Sequence, residues 1–143
     1  LSRRTCIRFV DGDALHPKAN VDKMSAGIPL TDEDREPWLE LIGREFAKSP
    51  TALIIGCSAL KRSYRDMIRH HAGAFIHLTG TREIIARRMR ERQDHFMPPV
   101  LLDSQFAALE PLDADELSIS IDIDQPLDAI IAQAARHLEG VTP

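Results

Sequence analysis

Residues Thr51 to Cys57, TALIIGC, form a short and almost continuous apolar run. A strand with one solvated face alternates apolar and polar residues. A run without alternation fits a strand buried on both faces, as in a parallel sheet covered by helices. Three further strands fit this reading. Thr5 to Val10 is β-favouring and stops at Asp11-Gly12-Asp13, Ala74 to Thr79 is closed by Gly80, and Glu116 to Asp122 alternates Ile119 and Ile121 with Ser118 and Ser120. Helical spacing lies between them: Asp32 to Lys48 (Trp38, Leu39, Ile42, Phe46), the stretch up to about His71, Arg82 to Gln93 (Ile84, Ile85, Met89), about Leu101 to Leu109, and a final helix through about Leu138 with Pro126 near its first position. Leu1 to Arg4 is compatible with the last turn of a helix. Strand alternating with helix predicts an α/β domain whose parallel sheet carries helices on both faces.

Within that plan, Phe9 to Trp38 is the most informative stretch. The first strand delivers Asp11 and Asp13 to the carboxyl edge of the sheet, where open α/β folds bind ligands. In an extended segment the two carboxylates project to one side, and Gly12 lets the backbone turn sharply. Such a pair suits Mg²⁺ held largely through water, or the hydroxyls of a polyol. Asp-Gly is also a common turn signal. His16, Lys18, Asn20, Lys23 and Arg35 supply donors around the acids, which favours a substrate cradle over a linker. Thr31 is a helix N-cap, with Asp34 in the position usually held by the Glu of a capping box. Pro37 is tolerable near the helix start, Arg35 faces back toward the acids, and Trp38 is a core anchor.

Composition excludes several classes. With 143 residues, 43% hydrophobic and 28% charged, the chain has the length and character of one globular domain. A formal net charge of -4 argues against bulk nucleic-acid binding. No apolar run approaches the roughly 20 residues of a membrane span, and no signal peptide is recognisable at Leu1. Cys6 and Cys57 fall in expected strands without CxxC spacing, so buried free thiols in a reducing cytoplasm are expected.

Other candidates follow the later strands. Ser58 lies at a strand's carboxyl edge, beside the start of the next helix, where an anion is favoured. Lys61 and Arg65 stand four apart, placed either to grip a carboxylate or phosphate or to form a solvated basic face. Arg88 and Arg92 align one turn apart in a helix rich in arginine, suited to phosphate neutralisation or to pairing with Glu83 and Glu91. The break at Asp94-His95-Phe96-Met97-Pro98-Pro99, between two helices, is how a mobile lid over a nucleotide would read. His77 is expected to be packed and His70-His71 to lie at the surface.

Four stretches together carry a family resemblance: FVDGDALHPKANVDKMSAGIPLTDEDREPWL, CSALKRSYRD, the HF-MPP-LLDSQFAALE region, and DIDQPLD. They span nearly the whole chain, and the sequence resembles the gluconate kinase (gluconokinase) family of P-loop small-molecule kinases. The resemblance implies a three-layer α/β kinase fold with a helical lid at about residues 88–105. It implies ATP and Mg²⁺ as cofactors, and phosphorylation of D-gluconate at the 6-hydroxyl to give 6-phosphogluconate. By position, Asp11 would stand at the Mg²⁺ (through water) and the reacting hydroxyl. Asp13, His16, Arg35, Ser58, Lys61 and Arg65 would hold the sugar acid. Arg88, Arg92 and His95 would serve the nucleotide and lid, and Gln125 and Pro126 the adenine. A cytoplasmic homodimer is implied, without membrane or nucleic-acid partners.

The family's phosphate loop, GxxxxGK[ST], does not occur in these residues. It supplies backbone N–H groups, a lysine and an Mg²⁺-binding hydroxyl. The strand before it lies mid-sheet, and without that strand two ladders would go unpaired, at roughly 1–3 kcal/mol per unmet buried group. The expectation is therefore that the loop precedes Leu1 in a longer protein. The alternatives are a kinase for another sugar acid or polyol, and an inactive gluconate-binding relative.

Overall fold

The structure is a computed structural model, and it describes residues 1–91 and 98–141. Four strands and seven helices alternate along it: α1 Ser2–Thr5, β1 Arg8–Asp11, α2 Lys18–Ser25, α3 Asp32–Lys48, β2 Leu53–Gly56, α4 Arg62–Arg69, β3 Phe75–Thr79, α5 Arg82–Glu91, α6 Leu102–Ala108, β4 Ser118–Asp122 and α7 Leu127–Val141. Short 3₁₀ turns at Gly12–Leu15 and Pro99–Leu101 complete the path.

All strand pairing is parallel, as expected, but it comes in two pairs. β1 lies on β2 with Arg8 opposite Leu53 and Asp11 opposite Gly56. β3 lies on β4 with Phe75 opposite Ser118 and Thr79 opposite Asp122. Among the described residues, each of the four strands keeps one unpaired edge. For that reason β2, expected to be buried on both faces, is only half-buried along Leu53–Gly56.

Two apolar clusters hold the layers together. Trp38, Leu39 and Ile42 of α3 pack on Tyr64 and Ile68 of α4, with Leu15 and Ile55 against them. Ile121 and Ile123, on and just beyond β4, pack on Ile130 and Ala134 of α7, with Leu1, Ile76 and Ile84 around them. Trp38 is fully buried, the core anchor its spacing predicts.

The start of α3 is built as its sequence states. Thr31 Oγ1 accepts from Asp34 N, and Asp34 Oδ2 accepts from Thr31 N, closing a capping box. Three expectations need correction. Cys6 lies outside any strand, in a left-handed conformation after α1, and both cysteines are free and exposed. The helix after β2 begins at Arg62, leaving Ser58 four residues before it in a loop. The segment after the acids contains α2, which closes in a Schellman arrangement: Gly27, at φ 74°, donates to Met24 O, and Ile28 N donates to Lys23 O.

Candidate functional site

The site is built around the carboxyl end of β1. One carboxylate oxygen of Asp11 accepts from Asp13 N at 3.0 Å and caps the 3₁₀ turn, so the turn reading of Asp-Gly-Asp holds alongside any ligand role. Gly12 is buried against the neighbouring strand, and a Cβ there would lie 2.5 Å from Gly56 O. The indole Nε1 of Trp38 donates to Gly12 O at 2.7 Å, locking the turn to α3. His16 stacks on the same indole, ring centroids 4.1 Å apart and planes 12° from parallel. Burial, then the nearby Arg35 charge, lowers its pKa from 6.5 to about 4, so the ring is neutral at physiological pH. Buried Asn20 holds the neighbourhood together, donating to Asp34 O at 2.7 Å and standing 3.3 Å from His16 Nδ1.

Arg35 is the most telling side chain. It is 7% exposed, yet among the described residues no carboxylate pairs with it. Its partners are Ser58 Oγ, which accepts from Nη1 at 3.3 Å, and the Tyr64 ring, whose centroid lies 5.5 Å from the guanidinium carbon. Burial holds its pKa below the ordinary arginine value. A buried cation with so few partners is costly, and an anion placed beside it would offset that cost. Lys61 lies 5.5 Å from the same ring centroid and donates to both oxygens of Asp32 at 2.8 and 2.9 Å. The Tyr64 hydroxyl also donates to Asp32. Hydrogen bonds from Lys61 and then Tyr64 hold the Asp32 carboxyl below its usual range.

These groups line an open cleft between the α2–α3 segment and α6. Met24, Pro29 and Leu30 stand on one side, and Leu101, Ser104 and Ala108 on the other. Asp11, Asp13 and His16 are outside this lining, and Arg35 connects the cleft to the strand end.

Other expected residues sit differently. Arg65 is 2% exposed and its guanidinium is fully engaged. It donates to Glu116 at 2.6 and 3.0 Å and to the carbonyls of Ala59, Leu60, Glu110 and Pro111. No donor is left for a sugar acid, so its expected place beside Lys61 as an anion grip is corrected to a structural one. Lys18 pairs with Asp22 and Lys23 with Asp34, so neither is directed at the two acids. Arg88 donates to Ile123 O at 2.6 Å, which brings it to the turn carrying Gln125 and Pro126. Gln125 is held by Asp122 O and Gln133, and Pro126 O accepts the first amide bonds of α7. Arg92 and His95 lie outside the described residues.

Sequence reasoning missed Asp32, Tyr64 and Glu116. Asp32 read only as an acid favourable to a helix N-terminus, and its partners are 29 and 32 positions away. Glu116 read as the first residue of a strand. No local pattern signals such distant pairs.

Among the described residues no cluster of three or more His, Cys, Asp or Glu side chains is assembled for a metal. Asp11 and Asp13 offer hard oxygen donors of the kind Mg²⁺ prefers. Two such groups fit an ion that keeps waters and phosphate oxygens as its other ligands.

No family model matches the chain. Individual relatives do. It is 47% identical over 133 residues to the thermosensitive gluconokinase of Escherichia coli, covering 88% of this chain and 71% of that protein. It is 42% identical over 144 residues to a gluconokinase of Gluconobacter oxydans, covering 97% and 81%. Among solved structures, an unliganded sugar kinase from a Janibacter species superimposes with TM-score 0.89 at 43% identity, covering 99% of this chain and 84% of that one. A gluconokinase from Sinorhizobium meliloti gives TM-score 0.86 at 44% identity, covering 97% and 81%. With its α/β architecture and relatives matched over most of their length, the chain belongs to the gluconokinase family.

Proposed function

We propose that this protein transfers a phosphoryl group from ATP to the 6-hydroxyl of D-gluconate, giving 6-phosphogluconate. The observation that carries the reading is Arg35, a buried cation that lines the cleft and, among the described residues, has no carboxylate within ion-pair distance. A sugar-acid carboxylate would complete it. Ser58 and Lys61 flank that position, and neutral His16 offers a ring nitrogen to the sugar hydroxyls. Asp13 stands at the strand end as a further hydroxyl acceptor. Arg65 supports the loop that carries Ser58 and Lys61 rather than touching substrate.

Asp11 is assigned to the reacting hydroxyl, and it would hold Mg²⁺ through water. When bound, Mg²⁺ would neutralise phosphate charge, and the rest of the catalysis in such transfers is positioning. The nucleotide side is assigned to Arg88 and the turn at Gln125 and Pro126, and the lid to about residues 88–105, of which 92–97 lie outside the described residues. The family resemblance also supports a cytoplasmic homodimer. No helix among the described residues is long and apolar enough to cross a membrane.

The test is a coupled assay with ATP, Mg²⁺ and D-gluconate, following 6-phosphogluconate through its NADP-dependent dehydrogenase. Turnover with gluconate and little with shikimate or glucose is expected. Arg35→Met should raise KM for gluconate at least tenfold, with KM for ATP changed little. A defect confined to ATP would move Arg35 to the nucleotide side.

A further inference from the structure

The cleft contains an electrostatic arrangement beyond what substrate binding alone requires. Among the described residues its lining carries three charged side chains, Arg35, Lys61 and Asp32. Lys61 is bound to both oxygens of Asp32, and Tyr64 fixes the same carboxylate through its hydroxyl while its ring lies against both cations. The remaining acid near Arg35, Asp34, is already paired with Lys23 at 2.8 Å. Among the described residues the cleft therefore presents one uncompensated positive charge, on a side chain buried too deeply for water to screen it fully.

We propose that Asp32 is a specificity-determining residue: by keeping Lys61 neutralised, it restricts this end of the cleft to ligands carrying a single negative charge there. The inference rests on the assignment of this cleft to the sugar acid. A monocarboxylate matches the one free charge on Arg35. A ligand with two charges at the same end leaves one unpaired and brings it against Asp32, and such a like-charge contact adds discrimination that attraction to Arg35 alone does not supply. Tyr64 is the positioning residue of the set. With its hydroxyl on Asp32 and its ring against the two cations, it keeps Lys61 with its counter-ion.

The test compares two small probes, glycerate and tartronate, as inhibitors competitive with gluconate at neutral pH and constant ionic strength. They share a short hydroxy-acid frame, but tartronate places a second carboxylate beside the first. The wild type should favour glycerate. Asp32→Asn keeps an acceptor for Lys61 and Tyr64 but removes the charge. It should shift the ratio of inhibition constants about tenfold toward tartronate, with KM for ATP unchanged. Adding Lys61→Met to Asp32→Asn returns the cleft to one positive charge and should restore the preference for glycerate, which a purely structural role for Asp32 would not do. An unchanged ratio in Asp32→Asn, or a shifted ratio that the double variant fails to reverse, overturns the proposal. The assignment of the cleft itself is tested separately by Arg35→Met. If that variant leaves gluconate and both probes unaffected, the substrate lies elsewhere, whatever Asp32 does.

Discussion

Gly12 shows how closely the acidic strand end is fitted to its neighbour. A Cβ would stand 2.5 Å from Gly56 O and 3.1 Å from the Cys57 Cβ, so Gly12→Ala has to force β1 and β2 apart beside Asp11. Overpacking of this kind costs about 1–3 kcal/mol. The urea midpoint should fall and gluconate binding weaken, whereas a variant of unchanged stability would show that the strands part freely. His16 makes a different demand. Its folded pKa is depressed to about 4, by burial first and by Arg35 second, while the unfolded ring titrates near 6.5. As pH falls through 6.5 the unfolded chain gains a proton that the folded chain does not take until about 4, so stability is lost across that window and unaffected by this group above it. His16→Gln should remove that component, visible as a stability difference between wild type and variant that narrows on acidification from pH 6.5 to 4. Parallel curves would assign the loss to carboxylates instead. At this scale the sequence was a partial guide. Arg35 and Arg65 looked like equal candidates, and since both are buried only the complete set of acceptors around Arg65 separates it from Arg35, whose partners are few.

Elements with chemically explicit ends were legible. α3 could be placed because Thr31 and Asp34 encode reciprocal bonds three residues apart. Thr31→Ala should cost about 1 kcal/mol, read from urea unfolding. It should also raise KM for gluconate modestly, since Asp32 and Arg35 hang from that first turn. A loss of stability without any change in KM would separate the cap from the site. α2 was not legible, because its eight residues are mostly polar and lack a continuous apolar stripe. The available signals were Pro17 before it, the Lys18–Asp22 pair within it and Gly27 after it. Strand existence was clear throughout. Strand burial was not, because it depends on what lies along the other edge of β2.

For the whole molecule, the important connection is the one between the two strand pairs. Arg65, from the helix packed under α3, pairs with Glu116, just ahead of β4, and the nearby Arg62 binds Asp113 and Asp115 at the surface. Hydrogen bonding from Arg65 keeps the Glu116 carboxyl below its usual range. Glu116→Ala would leave a buried guanidinium without its carboxylate, at a cost of about 3 kcal/mol. The expected result is a large drop in thermal midpoint, whereas Asp113→Ala, losing an exposed partner, should change it little. Equal effects would mean that the surface network carries the connection.

The same guanidinium also binds the carbonyls of Ala59 and Leu60 on one side and of Glu110 and Pro111 on the other, and Glu110 N donates to Leu60 O. The loop bearing Ser58 and Lys61 is thereby riveted to the segment that follows α6. Those two walls of the cleft are tied into one body. The opposite jaw, residues 24–32, meets that body through the contacts of both Lys61 and Tyr64 with Asp32, so a widening there has to break both.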